Sequence, residues 1–328
     1  MASERAILAG ATLVSDMTYQ VQSNRPTLIK AIRNAVADPI AAWVARFPAT
    51  EAQFCAIGRA TDSLPYVRTI YLRAAETLRE SWRRQSRQYR RITIGRHDFI
   101  FDITDFTVRA WYFHRQIFEP ATTRFVLEQV KPGDIVVDVG ANRGYFTILA
   151  SLQVGPRGKV FSFEPNPAVF KDLQHHIELN ELRDRVKLLD TALSDSDGDE
   201  AILFVSNLPS NSGLSSLTPQ ADLLSTNALS MQNTIGVKTT TLDALLKREG
   251  LTQPVDLIKV DVEGAEMMVL NGAENTLRDC PPKQWIIETK VNSGVANWMQ
   301  QYGYQARPLE QFADAVNLLC THQAHCPS

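Results

Sequence analysis

IVVDVGANRGYF, residues Ile135 to Phe146, holds a buried strand, a tight turn and the opening of a helix in one short run. Ile135 to Val139 is apolar except for Asp138, as strands covered on both faces are. Gly140 and Gly144 allow the chain to turn sharply and a ligand to approach the backbone. A dinucleotide fingerprint would place glycine at 140, 142 and 145. This chain has Gly140, Asn142 and Tyr145 there, which disfavours a nicotinamide-dependent oxidoreductase.

Downstream, KVFSF (159–163) and VKLLD (186–190) repeat the strand texture, with helical patterns at 143–153 and 166–181. Such alternation predicts parallel strands joined by crossover helices. AILFVS (201–206) and IGVKTTT (235–241) read as two further strands, and VDLIKVD (255–261) and QWIIET (284–289) resume the buried pattern. Upstream, ITIGRHDFIFDI suggests a hairpin turning at Gly95-Arg96. Helices are expected at 105–116 and after Glu119-Pro120. Residues 27–47 read as two helical pieces divided by Pro39, and 66–91 as one long amphipathic helix. Val67, Tyr71, Ala74, Leu78, Trp82 and Tyr89 line one face of it, and arginines flank that face. Those arginines read as a solvated surface, or as a contact for an anionic partner such as a phosphorylated substrate or a membrane surface. Residues 1–25 look irregular.

The 328 residues, 44% hydrophobic and 21% charged, suit a globular chain and exclude wholesale disorder. Charge is unevenly spread. Residues 1–115 carry 17 Lys and Arg against 10 Asp and Glu, and the remainder 17 against 26. No apolar run reaches the roughly 18 residues of a membrane span, and Glu4 beside Arg5 does not suit a secretory leader. Cys55, Cys280, Cys320 and Cys326 form no spaced framework, so reduced thiols and a cytoplasmic location are expected. Cys320, His322, His325 and Cys326 crowd one short segment, read here as a surface tail rather than a metal site.

Carboxylates mark the ends of the expected strands. Glu164, 26 residues after Asp138, can accept hydrogen bonds from both hydroxyls of a ribose. A strand ending at Asp190, followed by Thr191 and Ala192, would lie near an adenine. IKVDVEGAE (258–266) ends an apolar strand with Lys259, Asp261, Glu263 and Glu266. Charges there are unusual as pure structure, and ligands of open α/β sheets gather at that edge.

VKPGDIVVDVGANRGYFTILAS, FEPNP, DTALSD, SGLSSL, TTLDALL and DLIKVDVEGAEMMVLNGAENTL together resemble the FkbM-type methyltransferases over about residues 91–290. The resemblance implies an α/β, Rossmann-like class I methyltransferase fold with a mostly parallel seven-stranded sheet and helices on both faces. It implies a methyltransferase domain at 91–328, preceded by an N-terminal helical extension at 1–90. It also implies S-adenosylmethionine as cofactor. Asp138, Gly140, Ala141, Asn142, Gly144, Tyr145 and Phe146 would surround its amino-acid part. Glu164 and Pro165 would meet the ribose, Asp190, Thr191 and Ala192 the adenine, and Asp261 would stand beside the methyl group.

The implied reaction is mostly O-methylation of a sugar, glycolipid or natural-product small molecule. An amino-sugar nitrogen is an alternative acceptor, and a non-catalytic binding protein of the same fold is a further one. Methyl transfer from a sulfonium draws much of its rate from positioning, but an alcohol also needs a base or metal near its proton. The candidates are Asp261, Glu263, Glu288 at the next strand end, Lys259 as their ionic neighbour, and His114. Asp261 with Glu263 could instead hold Mg2+. Nothing points to nucleic acid. A homodimer through the N-terminal helices is an open possibility.

Overall fold

A computed structural model describes residues 28–325 apart from 62, 87, 208–213, 219–223 and 313. The expected irregular start, residues 1–25, lies outside them, as does Cys326. The chain divides into two compact units, Met1–Ile94 with Ile100–Phe118, and Gly95–Phe99 with Glu119–Ser328. The lead-in to Phe118, which the resemblance attached to the second domain, thus groups largely with the first unit.

The first unit contains helices α1 (Leu28–Arg46), α2 (Glu51–Ala60), α3 (Pro65–Arg84) and α4 (Phe106–His114), strand β1 (Tyr89–Ile94) and the second half of strand β2 (His97–Asp102), whose first three residues count with the second unit; β1 and β2 pair as a two-stranded sheet. α1 is one helix rather than two. Pro39 removes a single donor and lies on the exposed side, where water can serve the freed carbonyl. The expected stripe of α3 is buried at Tyr71, Ala74, Leu78 and Trp82. Tyr71 stacks on Phe54, and Trp82 stacks on Phe113. Several flanking arginines, read from sequence as solvated or anion-binding, are engaged within the unit. Arg79 bridges Glu76 and Glu80, Arg73 meets Asp38, and Arg90 forks onto Glu51. The outer face of α1 is different. Ile32, Val36, Ile40 and Trp43, with Phe47 just past its end, recur at helical spacing and are all exposed, Trp43 by 54%.

The second unit opens with α5 (Pro120–Gln129), Pro120 standing in the first turn where no donor is needed. β3 (Ile135–Val139), α6 (Tyr145–Val154), β4 (Lys159–Phe163), α7 (Pro167–Leu179) and β5 (Val186–Leu189) then alternate. β6 (Ala192–Leu193), β7 (Glu200–Phe204) and β8 (Thr234–Thr240) form a small separate sheet. After it come α8 (Leu242–Arg248), β9 (Leu257–Val260), α9 (Glu266–Asn271), α10 (Glu274–Asp279), β10 (Gln284–Lys290), α11 (Val295–Gln300), β11 (Tyr304–Gln311) and β12 (Ala315–His322).

The main sheet has seven strands in the order β11-β12-β10-β9-β3-β4-β5, with β12 antiparallel to both neighbours. The order reverses direction between β9 and β3, the switch point where open α/β sheets bind ligands. Side chains alternate across the sheet. One face carries Val137, Val139, Phe161, Phe163, Ile258, Val260 and Ile287 into the core. The opposite face carries Ser162, Asp138 and Lys259 in register, and one layer beyond them Asp261, Glu288 and Asn317. Of the segment read as a surface tail, Cys320 to His322 belong to β12 and His325 to a short 3-10 turn after it. Cys320 is wholly buried in the strand, and the His322 ring meets Tyr304. Apolar Val316, Leu318 and Leu319 fix β12 as a sheet strand.

Candidate active site

The turn after β3 is built by three backbone constraints. Gly140 has φ +80°, and a Cβ there would lie 1.8 Å from the Asp261 carbonyl oxygen, so only glycine lets the turn pass the end of β9. The Gly140 and Ala141 amides both donate to the Phe163 carbonyl. Asn142 takes a left-handed conformation, and its amide donates to Glu164 Oε2 at 3.0 Å. Glu164 Oε1 accepts from the Asn166 amide at 2.8 Å. Each oxygen keeps a further lone pair. Burial pushes the Glu164 carboxyl up to about 7, against those two amides. Beneath the turn, Thr147 donates to buried Asp138 at 2.5 Å and meets Ser162 at 2.9 Å.

Past β5, Asp190 is exposed, Ala192 is buried in β6, and Thr191 Oγ1 is buried without a hydrogen-bond partner among the described residues. That orphaned hydroxyl and the spare lone pairs of Glu164 suit a nucleoside with polar edges. The residues present therefore fit S-adenosylmethionine. Tyr145 points elsewhere, its hydroxyl meeting Thr123.

At the carboxyl end of β9 the charges converge. Lys259, 4% exposed, donates to Asp261 Oδ2 at 2.9 Å, and its Nζ stands 4.7 Å from the Phe146 ring centre. Glu119, Asp261 and Glu288 have carboxylate oxygens within 4.8 Å of one another. Burial pushes Glu288 well up and Glu119 up to about 7; Lys259 opposes both shifts and Asp261 adds to them. For Lys259, burial alone would lower the ammonium's affinity for its proton. Asp261, Glu119, Asp138 and Glu288 outweigh that and raise it.

Glu263 is not one of the three carboxylates that meet within 4.8 Å, though its charge still adds to the proton affinity of Glu288. Glu263 sits at φ +53° in the turn, its carbonyl accepting from the Ser216 hydroxyl at 2.6 Å, so the expected Asp261–Glu263 pair is replaced by Asp261 with Glu288 and Glu119. His114 lies in the first unit, against the edge of Tyr71. Sequence reasoning missed Glu119, Asn317 and Glu310. Asn317 donates to Glu119 Oε2 at 2.7 Å and to Thr122 at 2.9 Å. Glu310 accepts from the Ala121 and Thr122 amides at the start of α5. The Glu119-Pro120 step was legible as a helix start, but nothing in it signalled a buried carboxylate. Three carboxylates would suit an oxygen-loving cation, yet the buried ammonium of Lys259 belongs to the same cluster. A divalent ion does not fit beside it.

The family model described as "Methyltransferase FkbM domain" matches residues 138–306. The chain belongs to the FkbM methyltransferase family. It is an S-adenosylmethionine-dependent methyltransferase of Rossmann-like class I fold. The FkbM-family chain is 27% identical over 208 residues to "Methyltransferase sdnD" of Sordaria araneosa, covering 57% of this chain and 78% of that one. It is 30% identical over 190 residues to "31-O-demethyl-FK506 methyltransferase FkbM" of Streptomyces tacrolimicus, covering 51% and 69%. With "Hexuronic acid methyltransferase AglP" of Haloferax volcanii it shares 30% over 161 residues, covering 49% of this chain and 58% of that one. Glu119, Glu310 and Asn317 all lie outside the family match. No helix among the described residues is long and apolar enough to cross a membrane.

Proposed function

We propose that this methyltransferase acts on a hydroxyl oxygen of a sugar or another oxygen-rich small molecule. The observation that carries the reading is the carboxylate group of Asp261, Glu288 and Glu119 at the sheet edge beside the Gly140 turn. An alcohol gives up its proton reluctantly near neutral pH, and a buried carboxylate with raised proton affinity suits the role of base. Names of two relatives, a hexuronic acid methyltransferase and a 31-O-demethyl-FK506 methyltransferase, support an oxygen acceptor.

In this reading Gly140, Asn142 and Gly144 lie under the amino-acid part of the cofactor, Glu164 takes the ribose hydroxyls, and Thr191 meets the adenine. S-adenosylmethionine, when bound, supplies an activated methyl group. Glu288 would take the proton that the acceptor hydroxyl gives up, while Asp261, held by Lys259, orients that hydroxyl. The apolar stripe on α1 supports a homodimer through the first unit, and the free thiols Cys55, Cys280 and Cys320 support a cytoplasmic setting.

The test is turnover with S-adenosylmethionine and a panel of hexuronic acids, neutral sugars, amino sugars and macrolide alcohols. Formation of S-adenosylhomocysteine and the methyl position by NMR are the readouts. An O-methyl product is expected. N-methylation, or no turnover while the cofactor binds, would overturn the acceptor assignment. Sedimentation of wild type and Trp43→Asp tests the dimer, which the variant should dissociate.

A further inference from the structure

Three carboxylates, one buried and two half-buried, whose oxygens lie within 4.8 Å of one another cannot all stay ionised without a positive charge among them. Lys259 carries that charge. It reaches the cluster from the interior of β9, in register with Asp138 on β3, while Ile258 and Val260 point into the core on the other face. A lysine at such a position costs the burial of an ammonium, which only close ion pairing offsets. A strand shaped by packing alone would carry an apolar residue there. The pairing is present: Asp261 accepts from Nζ at 2.9 Å, and the Phe146 ring stands 4.7 Å from Nζ. Glu119, a member of the group, is itself clamped by Asn317 from β12.

We propose that Lys259 is the resident cation of this site, taking the place a divalent ion would occupy among Glu119, Asp261 and Glu288, so that methyl transfer proceeds without a metal. The inference rests on the acceptor-edge reading above, and its test has a readout besides turnover. An ammonium has three donors and no coordination sphere to complete. With Asp261 taking one, the others remain for neighbouring carboxylates or the acceptor oxygen. A divalent ion would require about six oxygen ligands in a regular shell and would be repelled by the ammonium. Lys259 is thus a positioning residue that fixes the charge and orientation of Asp261.

The experiment titrates Mg2+ and Mn2+ into wild type and Lys259→Ala, by calorimetry and by Mn2+ paramagnetic resonance. Wild type is expected to bind neither ion in the millimolar range. Chelation by EDTA should change its turnover by less than about twofold, because no metal completes the site. Lys259→Ala leaves the carboxylates without their cation and should bind Mn2+ at least about tenfold more tightly than wild type. A stoichiometric Mn2+ site in wild type, with activity lost to EDTA and restored by metal, would overturn the proposal. So would a folded Lys259→Ala with no gain in Mn2+ affinity.

If Lys259→Ala does not fold, Lys259→Met is compared with Lys259→Met/Glu288→Gln, which removes one charge of each sign. The double variant should have the higher Tm, and Mg2+ should raise the Tm of the single variant more. A double variant no more stable than the single one refutes the pairing. S-adenosylhomocysteine binding, measured on the same proteins, separates the outcomes. Its absence in wild type would count against the cofactor placement and leave the metal result standing.

Discussion

Replacing Glu164 by glutamine tests the cofactor placement with one atom's change. Its two oxygens accept from the Asn142 and Asn166 amides at 3.0 and 2.8 Å, so both sides of the carboxylate face backbone donors. In Glu164→Gln the new NH2 must face one of those amides, leaving a buried donor unpaired at about 1–3 kcal/mol. The charge that strengthens the ribose hydrogen bonds is also lost, and bonds to a charged group are worth about 1.5–3 kcal/mol. The first cost falls on the free and the bound protein alike and lowers stability; the second alone predicts S-adenosylhomocysteine binding weakened about ten- to hundredfold, at 1.4 kcal/mol per factor of ten.

Acidity gives a second arm. Burial holds the Glu164 pKa up at about 7, and the ribose is bound by the ionised form. Wild-type affinity should therefore fall as pH drops from about 8 to 6, while the glutamine variant stays flat. Stability of the ligand-free protein should move oppositely. A carboxyl whose folded pKa exceeds its unfolded value contributes fully below the unfolded value, near 4.5, and loses that contribution as pH rises through about 7. Calorimetric titration across pH measures the binding arm. If wild type and Glu164→Gln bind within twofold of each other at every pH, Glu164 does not hold the ribose.

The other predictions use the same unit. Gly140→Ala drives a Cβ to 1.8 Å from the Asp261 carbonyl at φ +80°, so a loss of about 3 kcal/mol or more, or failure to fold, is expected in urea denaturation. Gly144→Val meets only the tip of Leu173, at 2.6 Å and φ +94°, and should fold with a lowered Tm yet lose S-adenosylhomocysteine in calorimetry. Asp261→Asn and Glu288→Gln should cut kcat by about 10²–10⁴ with cofactor affinity nearly intact, and Glu263→Gln by less than about tenfold, in steady-state assays. If both amide variants at 261 and 288 turn over normally, His114 becomes the base to test. Asn317→Leu removes the bonds to Glu119 and Thr122 and should lower unfolding free energy by about 1–3 kcal/mol in urea, with kcat reduced more than cofactor affinity.

Local signals wrote most of this fold into the sequence. Ile135–Val139, Lys159–Phe163 and the adjoining helices follow from apolar runs and periodicity, and β3 and β4 end where the runs end. The Gly140 turn and Glu164 were legible because their chemistry lies within or just beyond those runs. β11 and β12 were missed. Arg307, Pro308 and Glu310 break the alternation of β11, whose register shifts between Pro308 and Glu310. The cysteines and histidines from Cys320 on read as a surface tail, which hid the strand formed by Val316, Leu318 and Leu319. The carboxylate group could be read only in part, since Asp261 and Glu288 stood out at strand ends and Glu119 did not. Glu119 becomes a neighbour of Asp261 and Glu288 only through tertiary packing, and no spacing along the chain announces a contact between α5 and a sheet edge.

The bond from Asn317 to Glu119 spans 198 residues. Contacts of such separation form late, because the loop between them must close before they can stabilise anything. The turn from Asp138 to Gly144 and the Glu164 carboxylate need only β3, β4 and the helices between and after them. A refolding chain should therefore pass through a form that already holds S-adenosylhomocysteine while its acceptor edge is still open. Recovery of binding should run ahead of recovery of turnover, making the β12 strand a clock for the last step of maturation.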